Sequence, residues 1–537
     1  MQSTQLPAAQ QRVTGLSKRA RAAATLVVVR ALYPFVFGLA VAACSGTPTS
    51  SIPSRTMRLP NIVILYADDL GYGDVGCYNP DSKIPTPHLD RLASQGMRFT
   101  DAHSSSGICT PSRYALLTGR HHWRKFHGIV QAFGPSVFAD DRLTMPEMLQ
   151  QRGYRTACIG KWHLGWDWSA LKQKGAKPQK GKGFTADQFD WSKPVAGGPL
   201  AHGFEYYFGD DVPNFPPYTW IENDHVVTAP TVPYAASPTP PEGNHEGRPG
   251  PMAEGWRLDA VMPELTQRAV AYVHSQKDAE QPFFLYVPFT SPHAPIVPSG
   301  SHVGSSDAGP YGDFVAQTDA TVGAVLAALD EAGLAGDTLV VFTSDNGPEH
   351  YAYERLRKFE HASSGKLRGV KRDVWEGGHR VPMIVRWPDV VDPQKTNHAL
   401  VGQVDLMATM ARLVGFELPA DQAEDSFDLM PLWLEEVDRV RDFLVHNTFA
   451  KKWAIRRGKW SLIDHKDGTH SRVPKWLASR YPANSADVVL CDMERDLGQQ
   501  VNLADQNQRV VAELRALLKD VRDRGHSAPR LAKEKKQ

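Results

Sequence analysis

Four stretches of this 537-residue chain set reactive side chains just beyond apolar runs of strand length. Asp68 and Asp69 follow residues 62–66, Lys161 and His163 follow 155–159, His293 follows 283–289, and Asp345 and Asn346 follow 339–343. In open α/β sheets ligands bind outside the carboxyl ends of the strands. Four separate segments are therefore expected to deliver acids, a lysine and two histidines to one edge. Asp68, Asp69, Asp345 and Asn346 are oxygen donors, a set that suits a hard divalent cation, Ca²⁺ first and Mg²⁺ second, rather than zinc. An Asp-Asp pair after a strand is more often a loop or helix cap. The second pair, in Ser344-Asp345-Asn346-Gly347, is what favours a metal site. Other polar and aromatic residues read more plainly. His121 and His122 suit a helix end, His350, His361 and His379 fall in expected loops around the cleft, and Trp166, Trp168 and Trp220 read as local packing.

The elements that must hold these groups follow from periodicity. Runs at 62–66, 155–159, 283–289, 339–343 and 383–387 read as buried strands. Residues 144–152, 262–276 and 314–332 read as amphipathic helices. Their alternation over some 350 residues predicts a large α/β domain with a mixed central sheet flanked by helices. Residues 213–251 are dense in Pro, Gly and Asn and are expected to form an irregular loop by the substrate entrance. After residue 430 the pattern changes. Strand-like pieces at 452–456 and 459–463 around Arg457-Gly458, a third at 488–491 and a helix at 509–521 predict a small α+β domain over 431–537, with a frayed tail at 533–537. The catalytic domain is expected over 59–430.

Composition limits the remaining choices. Hydrophobic content of 42% and charged content of 22% are ordinary for a globular enzyme, and 60 basic against 59 acidic side chains gives no pointer to nucleic acid. The first 44 residues hold five basic residues and no acidic one. Residues 31–43 are uncharged and would span about 20 Å as a helix, short of a bilayer. This suits a signal peptide over 1–44. Val41-Ala42-Ala43-Cys44 resembles a lipoprotein signal, which implies export to the periplasm, outer membrane or cell surface with a lipid anchor at Cys44 as the sole membrane contact. An ordinary signal peptide or a membrane helix are the other readings. Residues 45–58, rich in Ser, Thr and Pro, read as a flexible tether. Five cysteines do not make a disulfide framework; one bridge among Cys77, Cys158 and Cys491 is the most the sequence allows.

Cys109 alone would be read as a buried thiol. The run Cys109-Thr110-Pro111-Ser112-Arg113 followed by Leu117-Thr118-Gly119-Arg120 is far more specific and resembles the first signature of the type I, formylglycine-dependent sulfatases of the alkaline phosphatase superfamily. Gly153 through His163 resembles the second signature. Ser291-Pro292-His293-Ala294-Pro295, Ser344-Asp345-Asn346-Gly347 and Lys371 ahead of Trp375-Glu376-Gly377-Gly378 continue it in family order, and the last domain is similar to the family's C-terminal module.

The resemblance implies hydrolysis of sulfate monoesters, aryl or carbohydrate, with carbohydrate favoured by the exported setting. It implies that a maturation enzyme oxidises Cys109 to formylglycine, whose hydrate gives a nucleophilic hydroxyl and a second one that later expels sulfate. By motif position, Asp68, Asp69, Asp345, Asn346 and modified Cys109 would hold the cation. Arg113 would stabilise the ionised diol, and Lys161 and Lys371 would neutralise sulfate oxygens. His293 would be acid to the leaving oxygen and His163 partner of the modified residue. Two rival readings stand beside this one: a phosphate or phosphonate ester hydrolase of the same superfamily, and a non-catalytic lipoprotein that binds sulfated glycan.

Overall fold

Seven consecutive buried residues, Asn61–Ala67, form the central strand β1. Such a run, apolar on both faces, is what a parallel strand covered on both sides requires. Ile62, Ile64 and Tyr66 join one core cluster, and Val63, Leu65 and Ala67 join the cluster on the opposite face. This is the two-residue period of a strand. The computed structural model describes residues 59–234, 247–449, 451–481, 484 and 486–529. The signal segment 1–44, the tether 45–58 and the tail 533–537 lie outside the described residues.

The strands in chain order are β1, β2 (Met97–Phe99), β3 (Ala102–His103), β4 (Arg155–Ile159), β5 (Tyr206–Gly209), β6 (Ile221–Glu222), β7 (His225–Val226), β8 (Val232–Pro233), β9 (Pro251–Met252), β10 (Phe283–Pro288), β11 (Thr338–Ser344), β12 (Met383–Arg386), β13 (Lys395–Asn397), β14 (Val401–Gly402), β15 (Phe443–Asn447), β16 (Trp453–Arg457), β17 (Trp460–Ile463) and β18 (Val489–Asp492). The main helices are α1 (Pro87–Ser94), α2 (Cys109–Thr118), α3 (Met145–Gln151), α4 (Val261–Ser275), α5 (Gly309–Glu331), α6 (Ala352–Phe359), α7 (Glu376–His379), α8 (Leu406–Val414), α9 (Met430–Trp433), α10 (Lys475–Ala478) and α11 (Gln508–Asp523).

The large sheet has ten strands in the order β13-β2-β12-β11-β1-β10-β4-β5-β6-β7. β11, β1, β10, β4 and β5 run parallel, while β12 is antiparallel to β11 and β6 to β5. The sheet is thus mixed, as the alternating pattern predicts. One face packs side chains of α2, α3 and α8, the other those of α1, α4 and α5. Helix α3 starts where a capping box puts it. Thr144 accepts from the backbone N–H of Glu147, and Glu147 returns the bond to the N–H of Thr144.

The chain ends on a four-stranded antiparallel sheet, β15-β16-β17-β18. Val511, Leu514, Leu518 and Val521 of α11 pack on Val445, Ile455, Leu462 and Leu490 of that sheet. Its other face, through Ala454, Ile463 and Val489, packs against Val374 and Trp375 of the catalytic part. The sheet opens with β15, a strand the sequence reading leaves out. Cys77, Cys109, Cys158 and Cys491 are all free, so the one bridge the sequence left open does not form. Among the described residues no helix is long and apolar enough to cross a membrane.

Candidate active site

The parallel strands β1, β4, β10 and β11 end side by side, and each carries its reactive residues just past its last residue. Register makes this so: Tyr66 pairs with Thr343 on one side and Pro288 on the other. Beyond β4 the backbone turns at Gly160 with φ of 135°, where a Cβ would lie 2.0 Å from the carbonyl oxygen of Pro288. Only glycine fits that approach. The turn carries Lys161 inward. Asp69 and His163 also hold positive φ, 66° and 53°, a conformation that costs a non-glycine residue of order 1–3 kcal/mol and recurs at functional sites. His293 sits between two cis X-Pro bonds, Ser291-Pro292 and Ala294-Pro295.

Cys109 and Arg113 come from a different element, the first turn of α2. Pro111 is tolerated there because a first-turn N–H has no intrahelical acceptor anyway. Gly119, at φ 66°, closes the helix in the left-handed conformation. Positions 109 and 113 are one helical repeat apart and face the same way, toward Asp68 and Asp345. The Cys109 thiol donates to Asp68 Oδ1 at 3.7 Å. Arg113 donates through Nε and Nη2 to Asp345 Oδ2 at 3.1 and 2.9 Å, and through Nη1 to the carbonyl of Lys161.

The two lysines close the arrangement. Lys161 Nζ donates to Asp68 Oδ2 at 2.5 Å, with both side chains fully buried. Lys371, from the loop before α7, donates to Asp69 Oδ2 at 2.8 Å. Asn346 donates to Asp69 Oδ1 at 2.7 Å, and His293 Nε2 lies 3.7 Å from Asp69 Oδ2. Every sequence-predicted site residue is therefore buried in one region. The His163 ring reaches the carbonyl of Val130 through Nε2 at 3.0 Å and packs edge-on against Phe215, while its buried Nδ1 has no partner among the described residues.

The electrostatics follow from burial and opposed charge. Burial would raise the Asp68 carboxyl, but Lys161, His293 and Arg113 hold it far below the ordinary range. Asp345 rises to about 7 through burial and the neighbouring Asp68, with Arg113 opposing. Burial pushes the Cys109 thiol up to about 12, Lys161 and Lys371 pulling the other way. Burial lowers both His163 and His293, assisted by Lys161 and by Lys371 respectively. For Lys371, burial is outweighed by Asp69, Cys109 and Glu349, and the ammonium is retained.

The donor set fits a hard cation. Asn346 Oδ1 is buried and has no hydrogen-bond partner, although its amide nitrogen is fully used. An unpaired buried acceptor beside three carboxylates is a place for positive charge. Asp68, Asp69, Cys109 and His293 offer ligand atoms all within 4.8 Å of one another.

Sequence reasoning overlooked Asp210 and Glu349. Asp210 follows β5 as Asp68 follows β1, so the same signal, an acid just past an aromatic strand, points to it. It is 1% exposed, both carboxylate oxygens lack a partner, and burial with the adjacent Asp211 raises it to about 7. Glu349 lies 3.9 Å from Lys371 and is bonded by Arg372 and His350. Two expected loop histidines are placed differently. His361 is buried on Asp74 at 2.8 Å, and His379 is buried in α7, so neither is free for substrate: burial, not a cleft, took up each of them. Trp166 and Trp168 are buried packing residues, and Trp220 stacks on Phe208.

Comparison with known proteins bears on the family of the chain. The family model for sulfatases matches residues 60–416, and the model described as N-sulphoglucosamine sulphohydrolase, C-terminal, matches residues 370–524. An N-acetylgalactosamine-6-O-sulfatase of Bacteroides thetaiotaomicron is 32% identical, over 92% of this chain and 99% of its own. Arylsulfatase A of Bos taurus is 33% identical over 90% of this chain and 89% of its own. A solved Bacteroides thetaiotaomicron structure from work on the metabolism of multiple glycosaminoglycans superposes with a TM-score of 0.73 at 32% identity, covering 86% of this chain and 99% of that one.

Proposed function

The chain belongs to the sulfatase family and hydrolyses sulfate esters, and from that premise we propose that it desulfates carbohydrates, using a nucleophile made from Cys109 on a divalent cation, Ca²⁺ before Mg²⁺. The observation that carries this is the position of residue 109. It lies beside Asp68 and Asp69, and both acids are paired with buried lysines that arrive from separate loops.

The converted residue would supply a hydroxyl nucleophile, and the cation, held by Asp68, Asp69, Asp345, Asn346 and residue 109, would lower that hydroxyl's pKa and polarise a sulfate oxygen. The chain's own side chains do the rest. Lys161 and Lys371 bring two fixed positive charges to where negative charge grows on the sulfate oxygens, in a site from which water is excluded. Arg113 fixes Asp345 and keeps it pointing at the cluster. His293 Nδ1 meets the Ala294 carbonyl and its Nε2 faces Asp69; a proton carried on Nε2 would pass to the leaving oxygen as the S–O bond breaks. His163 lies against Phe215, and its Nδ1 has no partner among the described residues.

Substrate class is read from Asp210. A buried carboxylate with two idle oxygens, beside the loop that carries Lys161, is suited to accept hydrogen bonds from ring hydroxyls. An aryl sulfate without further ring hydroxyls has none to give. We assign the substrate accordingly as a sulfated sugar, with 6-O-sulfated hexosamine as the first to test in view of the relatives' activities. Export with a lipid anchor at Cys44 is part of the same proposal, as is maturation by a formylglycine-generating enzyme. The experiment is a panel of matched esters. Sulfate release from a sulfated hexosamine should exceed phosphate release from the corresponding phosphate. Dominant phosphatase activity would favour the superfamily rival, and tight binding without turnover would favour the non-catalytic one.

A further inference from the structure

Away from the sulfate site, three histidines from three elements meet in the interior: His103 at the end of β3, His379 in α7 and His446 in β15. They are 0%, 1% and 1% exposed. Their ring centroids lie 3.8 Å apart for 379 and 446, 4.9 Å for 103 and 446, and 5.2 Å for 103 and 379. The mechanism uses none of them.

Their hydrogen bonds are unusual. His103 Nδ1 faces His379 Nδ1 at 3.0 Å. The far nitrogen of each ring meets an acceptor: His103 Nε2 the Oδ1 of Asp101 at 2.9 Å, and His379 Nε2 the carbonyl of Val374 at 3.3 Å. Each far nitrogen is satisfied as an N–H donor, which leaves a neutral ring with its lone pair on Nδ1. Two lone pairs then point at each other and call for a positive centre between them. His446 adds two ring nitrogens with no partner among the described residues, and Glu376 Oε1, one turn before His379, is also buried and unpartnered. Protonation is a poor remedy, because the nearby acids Asp101 and Glu376 are already matched by Arg380 and Arg456.

Neutral imidazoles whose outer N–H is anchored by a carboxylate and a carbonyl are what a metal-ligating histidine presents. Ligand atoms of all three rings lie within 4.8 Å of one another. With metal–nitrogen distances of about 2.0–2.1 Å, the 3.0 Å pair is already within reach of a single ion. We propose that His103, His379 and His446 form a structural site for a zinc-class divalent ion, joining the C-terminal sheet to the catalytic part. Three imidazoles select a softer ion than the oxygen donors around Asp68 do, so the protein carries two chemically different metal sites. The rings of His379 and His446 stack at 13°, and coordination turns the His446 ring out of that stack. Asp101, Arg380 and Arg456 also line a cavity of about 360 Å³, which gives the ion an approach from that side.

The test uses the full chain. Wild-type protein stripped by denaturation in chelator is refolded with Zn²⁺ alone, desalted and assayed for metal by mass spectrometry, and in parallel refolded with Co²⁺ for its absorption spectrum. The expected result is one zinc per chain, an intense visible band for cobalt in a tetrahedral nitrogen site, and a higher melting temperature with zinc than without. His446→Gln should lose the zinc and the cobalt band together. Zinc-free wild type after refolding in excess Zn²⁺ overturns the proposal whatever the variant does, and so does a folded H446Q that keeps a full equivalent. Should H446Q not fold, the stoichiometry and spectrum of the wild type decide.

Discussion

Replacing Lys161 by Met removes the ammonium and keeps most of the side chain's length. Lys161 Nζ lies 2.5 Å from Asp68 Oδ2, and both groups are fully buried. What remains near Asp68 is the Cys109 thiol at 3.7 Å, Arg113 at 3.7 Å but already committed to Asp345, and the charges of His293 and Lys371. Breaking a buried pair from one side costs about 3–5 kcal/mol. With an unfolding entropy of ~2.1 cal/mol/K per residue, a chain of this size loses about 1 °C of Tm per kcal/mol, so the variant should melt about 3–5 °C lower. That figure holds with the cation removed. If Asp68 is a cation ligand, saturating Ca²⁺ supplies the missing charge, and the deficit should shrink to about 1 °C. The activity loss should not be rescued in the same way. Taking a fixed donor from the developing charge on sulfate costs about 10²- to 10³-fold in kcat. The assay is a melting curve of wild type and K161M in calcium and in EGTA, with initial rates in calcium. Equal deficits in both buffers would refute the idea that Asp68 serves a cation, and a kcat within about tenfold of wild type would refute the role given to Lys161.

Other perturbations bear on separate parts of the account. Assayed at pH 8, above the value of about 7 to which the Asp210 carboxyl is raised, Asp210→Asn should lower kcat/KM on sulfated hexosamine by about 10- to 100-fold, the loss of charged hydrogen bonds worth about 1.5–3 kcal/mol, and leave an aryl sulfate nearly unchanged; equal losses on both would remove Asp210 from sugar recognition. Asp425→Asn should destabilise the fold by about 3 kcal/mol or more. Asp425 is fully buried, with Arg124 donating to it at 2.6 and 2.7 Å and the His121 N–H at 2.9 Å. Burial works against its ionisation, and His121 and Arg124 more than reverse this, so its carboxyl sits below the ordinary range. The stabilisation is therefore complete above about pH 4 and fades as pH falls from there toward the folded value. Denaturant melts of wild type and D425N should converge in acid; a difference that stays constant into acid would show that the charge is not the source.

Much of the site was legible because its signals are local. A run such as 62–66 is buried on both faces, so its apolarity is continuous, and the polar residue that ends it marks the sheet edge. Cys109 and Arg113 were legible through a motif, though their helix was not. α2 is buried along its whole length, which erases the amphipathic stripe by which helices are read. β15 escaped notice because Phe443–Asn447 is short and ends in His446-Asn447, whose burial depends on partners far away in the chain. The same reason hides the three-histidine group. His103, His379 and His446 come from distant segments, and nothing local distinguishes a histidine bound for the interior from one in a loop. Asp210 differs, since its position after β5 repeats the signal that picked out Asp68.

The central claim is that residue 109 acts as a converted cysteine, and the mass of one tryptic peptide tests it most directly. Cleavage after Arg98 and Arg113 releases residues 99–113, which contain Cys109. In protein made alongside a maturation system, that peptide should lie about 18 Da below the thiol form, the exchange of SH and one hydrogen for a carbonyl oxygen, and its abundance should track sulfate release across preparations. An unmodified thiol in protein that turns over sulfate esters at full rate would contradict the account.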